Sequence, residues 1–438
     1  MNSERALTHF ASDNEWFSVD ETDLERSARD MSMYRIPPQA VAHPRDEADL
    51  IALVRLAREN GVGLIPRGGG TNTGGSAIGR GIIVRFTENG YWDRLSAGDG
   101  LEVTCGPAVR HDAVQRAFAE GGGMLPSDPS SGSISYIGGN VATRASGPHA
   151  LKHGAIDRYV TDLSVVLADG SVVSSGGQIP PTIEDSVETV ARTCRRDDDS
   201  LAIARRKAAS KCASGYDLAA VLEGLDAGEW FRRLMVGSAG TLGFVTQVGL
   251  RGVEKDEGET SILLFFRDVR AACDAVPAVL EHDPEAIEIM DPESLSIVVE
   301  NNPDLGLPEG SNAMLMVELR GSTALERAHG VGSALAHGSF DLTVAPLIRS
   351  SDNVQEQRQT EKLWTVRKRL FPTLKKFDRN LRAYSVVNDV GVPVDRLGEL
   401  VTEDSTVFRD VGLRAPIYGH AGSGNLHLRP LFDRSSPQ

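Results

Sequence analysis

Apolar and polar residues follow two rhythms along this chain, and together they predict short strands alternating with amphipathic helices. Ala40-Val41-Ala42 is extended in character. From Asp46, acidic residues open a first turn, apolar Leu50, Ile51, Leu53, Val54, Leu56 and Ala57 recur at helical spacing, and Asn60-Gly61 closes the element before Leu64-Ile65. That order is strand, helix, strand. Gly81 to Phe86 predicts another strand, as do the β-branched runs Leu101 to Thr104, Leu163 to Leu167, Ser171 to Val173 and Phe244 to Val248, with one helix over His111 to Glu120 among them. Residues 1–37, polar with scattered apolar positions and closed by Pro37-Pro38, read as a helical N-terminal extension. Residues 184–212 carry the run Arg195-Arg196-Asp197-Asp198-Asp199 and read as a solvated helical connector.

After Val253 a charged turn, Glu254 to Gly258, precedes a new apolar run, Ser261 to Phe266, and this change predicts a domain boundary. The second half pairs strand-like runs (Ala313 to Leu319, Val386 to Val392) with helical ones (Val269 to Glu281, Leu325 to Ala336). The expected organisation is an extension over 1–37, a first domain over 38–253 and a second over 254–438, all of α+β class.

Composition narrows the function. The 438 residues, 40% hydrophobic and 24% charged, suffice for two or three cored domains and exclude a disordered chain or a small disulfide scaffold. With 46 basic against 61 acidic residues the net charge is -15, the wrong sign for a nucleic-acid surface, so a small-molecule role is expected. No run of eighteen apolar residues suggests a transmembrane segment, and the N-terminus lacks the pattern of a secretory leader. A cytoplasmic location, free or peripheral to a membrane, is the expectation. The four cysteines, Cys105, Cys194, Cys212 and Cys273, have no C-x-x-C spacing and read as reduced structural thiols.

Glycine carries the first candidate chemistry. Leu64-Ile65 runs into Pro66-Arg67-Gly68-Gly69-Gly70-Thr71-Asn72-Thr73-Gly74-Gly75-Ser76, which offers unobstructed backbone N–H groups beside an arginine, as a pyrophosphate requires. A P-loop needs lysine where Ser76 stands, and a dinucleotide fingerprint needs a third glycine where Thr73 stands and a helix where this loop opens a strand. NTP hydrolysis and NAD binding by those routes are disfavoured. Residues 125–154 form a second stretch, dense in Gly, Ser, Asn and Pro. In it Gly138-Gly139-Asn140 would let a backbone approach a flat ring, and Asp128 and Ser130 would supply polar anchors. A third segment, Gly237 to Phe244, precedes a strand. Three such wraps suggest a large, extended dinucleotide.

The motifs PRGGGTNTGG, LPSDPSS with IGGNVAT, Gly154 with Val160-Thr161-Asp162-Leu163 before LADG, SGYDL at 214–218, GSAGTLGFVT and GHAGSGNLHL at 419–428 resemble the FAD-linked oxidases and dehydrogenases of the vanillyl-alcohol-oxidase (PCMH) type. The branch is the one acting on D-lactate, glycolate and D-2-hydroxyglutarate, and the resemblance runs from about Gln39 to Asp433. It implies a two-part FAD-binding PCMH-type domain followed by an α+β substrate domain, or cap, with an antiparallel sheet. The pyrophosphate is then held at Arg67, Gly68, Gly69, Gly70, Thr71 and Asn72, with Ser76 nearby. Flavin and adenine are wrapped by Pro126, Asp128, Pro129, Ser130, Gly138, Gly139, Asn140 and Gly147, by Val160, and by Gly240, Gly243 and Phe244. No histidine follows the first glycines, so noncovalent FAD is expected, and Ala239 stands where the family usually has glutamate.

His420 and His427 lie seven residues apart, and Gly419, Gly422 and Gly424 argue for a loop between extended segments rather than a helix. Two imidazoles so placed could take a divalent metal such as zinc. The resemblance assigns both as metal ligands, with His427 the candidate catalytic residue, Arg367 the substrate arginine and Arg429 a second carboxylate partner. Ser423 replaces an aspartate of that motif, and Arg429 and Val387 replace an asparagine and a lysine of D-2-hydroxyglutarate dehydrogenases. Arg369 reads as a surface charge. The expected reaction is oxidation of a D-2-hydroxy acid to the 2-oxo acid by hydride transfer to flavin N5, electrons passing on to a quinone, cytochrome or iron–sulfur protein. The family's Glu-His-Gly motif, its third metal ligand, is absent; Glu281-His282-Asp283 is a weak substitute. The readings that follow are a chain completed by a partner supplying a C-terminal segment, or a noncatalytic flavin-binding subunit or inactive fragment. Alkyl transfer on the same flavin fold is a weaker alternative, and a hydrolase has no support because no G-x-S-x-G elbow is present.

Overall fold

The computed structural model describes residues 3–208, 215–256, 258–302, 307–337, 340–343, 347–350, 364, 367, 370, 373, 374, 380–387 and 389–433. Cys212, Ser214 and Arg369 lie outside the described residues. The chain divides into two compact units: residues 1–146 with 155–255, and residues 147–154 with 256–438. The break therefore falls two residues after the expected Val253, residues 1–37 belong to the first unit, and one short segment inside its sequence belongs to the second.

Unit 1 has two main sheets. Strands β1 (Phe17–Ser18), β2 (Ala40–Ala42), β3 (Leu64–Arg67) and β4 (Ile82–Arg85) form the first in the order β1-β2-β4-β3, parallel except for β1. Helix α3 (Glu47–Asn60) covers it, following α1 (Ser3–Asp13) and α2 (Glu21–Ser27). Its start and stop are as the sequence implies: the Asp46 carboxylate accepts from Asp49 N–H, Gly61 closes the helix with φ 64°, and Leu50, Leu53, Val54 and Ala57 are buried. Leu7, Trp16 and Phe17 sit in the same core, so the N-terminal extension is part of the domain's packing. The second sheet, β5 (Leu95–Ala97), β6 (Glu102–Cys105), β8 (Val160–Leu167), β9 (Val172–Ser174) and β10 (Gly243–Arg251), is antiparallel in the order β5-β6-β10-β8-β9. A two-stranded ribbon, β7 (Gly123–Met124) with β11 (Val253–Glu254), and helices α4 (His111–Glu120) and α5 (Ile137–Ala142) complete that half. The charged stretch expected to be a connector forms α7 (Pro181–Arg196) and α8 (Asp198–Ala208), whose few apolar residues, Val187, Ala191 and Ala204, pack on Trp230 of α9 (Ala227–Met235) in a small core of their own.

In unit 2, β12 (Glu259–Phe266), β13 (Ala286–Met290), β14 (Ala313–Arg320), β15 (Leu347–Ser350), β17 (Asp389–Gly391), β18 (Ile417–His420) and β19 (Asn425–Leu428) form one antiparallel sheet in the order β15-β12-β14-β13-β18-β19-β17. A ribbon of β16 (Leu381–Ala383) with β20 (Leu431–Asp433) lies apart from it. Alternation along each strand gives the sheet two faces. Ile287, Ile289, Leu315, Val317, Leu426 and Leu428 meet α10 (Val269–Leu280), α12 (Ala324–His337) and the helix Leu397–Asp410. Met290, Met314, Met316 and Tyr418 point the other way, toward Trp364, Leu370 and Leu374 and toward α11 (Pro292–Asn301). Burial pushes the thiols of Cys105 and Cys273 up to about 12, so both are inert packing residues.

Candidate functional site

Unit 1 brings the three glycine-rich segments together. A Cβ on Gly69 would stand 2.3 Å from the carbonyl oxygen of Ile134, and one on Gly68 would stand 3.3 Å from the Cβ of Tyr136, so the first loop lies against the second. The third segment hydrogen-bonds to the second, Gly237 N–H to the Val141 carbonyl at 3.0 Å and Ala239 N–H to that of Ala142 at 2.8 Å. Gly240, with φ 80°, brings its backbone so near β3 that a Cβ would be 2.1 Å from Pro66. Close packing thus explains several of these glycines, including Gly138 against Pro107 and Gly243 against Val165. Gly139 differs: a Cβ there meets nothing within 4 Å.

The other expected cofactor residues differ in burial and in what they hold. Arg67 is buried and donates to the carbonyls of Ser27 and Ala77, each at 3.3 Å, and of Arg29 at 2.8 Å. Burial, with Arg85 nearby, holds its pKa below the usual arginine value. It therefore ties the first loop to the N-terminal extension. Asn72 Oδ1 accepts from Gly74 N–H at 2.8 Å and Ser76 N–H at 3.0 Å, shaping the loop, and Thr71 stays half-buried while Ser76 is exposed. Buried Asn140 lies with its amide nitrogen 3.2 Å from His111 Nδ1. Pro126 is buried, Asp128 and Pro129 are half-buried and Ser130 is exposed. Val160 and Phe244 are core side chains, and Gly147 lies in unit 2.

Unit 2 assembles the histidines. β18 and β19 form a hairpin whose turn is closed by Gly424, with φ 65° and a Cβ position only 2.0 Å from the Val392 carbonyl oxygen. Register then does the rest: His420 faces Glu288 of β13, while His427 faces Tyr418 on one side and Asp389 of β17 on the other. His420 Nδ1 is 2.5 Å from Glu288 Oε1, and His427 Nδ1 is 2.5 Å from Asp389 Oδ1. The two rings are edge-on, with centroids 5.1 Å apart. Arg367 pairs with the other oxygen of Glu288, and its guanidinium carbon lies 4.7 Å above the Tyr418 ring. Arg429, also buried, donates to the carbonyls of Val387 at 3.3 Å and Leu428 at 3.2 Å and hydrogen-bonds the Tyr418 side chain. All four predicted residues of this half, His420, His427, Arg367 and Arg429, therefore come together around Tyr418.

Electrostatics set their states. Burial pushes the His427 pKa down, with Asp389 pulling the other way, and burial pushes the Tyr418 hydroxyl up against the opposing pull of Arg429 and Arg367. Glu288, Asp389 and Tyr418 are the residues that sequence reading missed. Ala286-Ile287-Glu288-Ile289-Met290 did hold a signal, one acid in an apolar run, since a buried charge needs partners.

The expected metal centre is not formed by these donors. Each Nδ1 is engaged by a carboxylate, which leaves each Nε2 as the available donor, but among the described residues no group of three or more His, Cys, Asp and Glu could hold a metal ion. The weak substitute for a third ligand lies elsewhere: the His282 ring packs against Gly330 of α12, and Asp283 pairs with Lys152.

A protein-family model described as FAD binding domain matches residues 38–176, and one described as FAD linked oxidases, C-terminal domain, matches residues 255–438. The chain belongs to the FAD-linked oxidases. Among the relatives of this family member, glycolate oxidase subunit GlcD of Bacillus subtilis is 27% identical over 398 residues, which are 90% of this chain and 73% of that protein. The probable mitochondrial D-lactate dehydrogenase of Danio rerio is 27% identical over 440 residues, 98% of this chain and 77% of that one. Among solved structures, an alkyldihydroxyacetonephosphate synthase superposes with a TM-score of 0.67 at 15% identity, covering 98% of this chain and 81% of its own. That likeness establishes the fold. FAD suits unit 1 on its own geometry, since three loops converge there and Gly139 is left small without a packing reason. Among the described residues no helix is long and apolar enough to cross a membrane.

Proposed function

We propose that this chain oxidises a D-2-hydroxy acid of the D-lactate, glycolate or D-2-hydroxyglutarate class to the 2-oxo acid. The observation that carries the reading is the cluster on one sheet face: a buried arginine beside an imidazole that burial keeps neutral and a carboxylate orients. The names of the relatives, glycolate oxidase and D-lactate dehydrogenase, support the substrate class.

Arg367 binds the substrate carboxylate, and Arg429 braces the Tyr418 hydroxyl and adds positive charge beside it. His427, neutral and held through Nδ1 by Asp389, accepts the hydroxyl proton at Nε2. The C2 hydrogen leaves with its electron pair, for which bound FAD is the two-electron acceptor. When FAD binds, loop backbone from Gly68 to Asn72 would hold its pyrophosphate, Arg67 keeping that loop in shape, and residues 126–140 with Gly240 would hold the rest of it.

The purified chain should show flavin bands that bleach on anaerobic addition of at least one of D-lactate, glycolate and D-2-hydroxyglutarate. A second reading, a flavin-binding subunit without turnover of its own, is favoured by the two imidazoles lacking a third metal ligand among the described residues. Bands that persist with all three acids would decide for it.

A further inference from the structure

We propose that Glu288 is a positioning residue that couples the carboxylate-binding arginine to the histidine pair, holding Arg367 with one oxygen and the Nδ1–H of His420 with the other. This rests on the reading of Arg367 as the partner of the substrate carboxylate. Glu288 is 1% exposed, in mid-strand, with His420 opposite it on β18 and Met316 opposite it on β14. Its carboxylate is built into the sheet and divided between two partners: Oε1 lies 2.5 Å from His420 Nδ1, and Oε2 pairs with Arg367. Arg367 is 4% exposed, and a guanidinium so buried needs an anion. Glu288 meets the guanidinium at Nη2 alone, and the neighbouring Nε on that edge is buried with no hydrogen-bond partner among the described residues.

Two consequences follow for this chain's own groups. A neutral His420 whose Nδ1–H is donated to Glu288 carries its lone pair on Nε2, the tautomer opposite to the one free histidine prefers in water. Glu288 also competes with the substrate for Arg367, so it orders the arginine without adding to affinity.

The test begins with the apoprotein. Nitrogen-15 NMR of the histidine-labelled chain, above the histidine titration range, with His420 assigned by its loss in His420→Gln, should place the proton on Nδ1. A proton on Nε2 overturns the proposal, and this reading needs no turnover. In the flavin-loaded enzyme, Glu288→Gln should lower kcat about 10²-fold, the cost of misplacing a substrate-orienting group such as Arg367, with KM for the hydroxy acid unchanged or lower. A wild-type kcat, or a KM that rises as kcat falls, overturns it. Absence of turnover in the unaltered chain would sink the oxidase reading alone, because the tautomer decides this inference independently.

Discussion

Glu288, Arg367 and Glu285 are the residues on which unit 2 is most exposed to single changes. Arg367→Lys keeps the charge but loses the planar fork, and a fall in kcat/KM of about 10²-fold or more is expected, carried mostly by KM. Arg367→Met takes the guanidinium from the buried Glu288 carboxylate and leaves it only His420 of the two partners, and a loss of about 3–5 kcal/mol should appear in chemical denaturation. Glu285 is a different case. Burial works to raise its pKa, but hydrogen bonds from His153 and Lys152 outweigh this and bring it from 4.5 to about 2. As pH falls the unfolded state takes up this proton first. The stabilisation is therefore complete above about 4.5 and is lost between there and about 2, a contribution of up to ~3 kcal/mol. His153→Gln should flatten that acid limb in a pH series of denaturation midpoints. At this scale the sequence reading picked out the two histidines and two arginines but not their carboxylates, because one acid in an apolar run marks a buried charge without naming its partner.

Loops and strands act as units in the cofactor region. The glycines at 69, 138 and 240 answer to neighbouring backbone or side chains, whereas a Cβ at 139 enters open space within α5. Gly139→Leu should then leave the apoprotein folded, with far-ultraviolet dichroism and melting close to the parent, yet lose most of its flavin absorbance per chain. Gly240→Val should do worse on both counts, since its φ of 80° and the adjacent Pro66 leave no room. Retention of flavin by Gly139→Leu would remove the second loop from the cofactor. The elements themselves were legible where local rules dominate. Asp46 and Gly61 mark the ends of α3, and His111 to Glu120 reads as a helix from its apolar spacing and is one. β18 and β19 are the extended segments expected on either side of the glycine loop, whereas β13 escaped notice because five buried residues have too little length to show a period.

Across the whole molecule the two units are not two consecutive pieces of sequence. Residues 147–154 group with unit 2, where His149 lies 3.0 Å from Glu318 and Lys152 and His153 meet Glu285. A fragment of residues 1–255 should consequently keep its own cores but expose that segment, so limited proteolysis is expected to cut near 147–154 in the fragment and to spare it in the full chain. The sequence by itself determined the α+β class, the strand–helix–strand opening and the glycine-rich segments. These rest on local physics: side-chain periodicity, helix caps and the backbone freedom of glycine. Only the tertiary structure decided that three distant loops meet, that Arg67 serves as a brace, that 147–154 changes unit, and that Glu288 and Asp389 stand behind the histidines. Strand register and loop contact make those choices, and both arise from the energy of the folded whole, which no window of the chain contains.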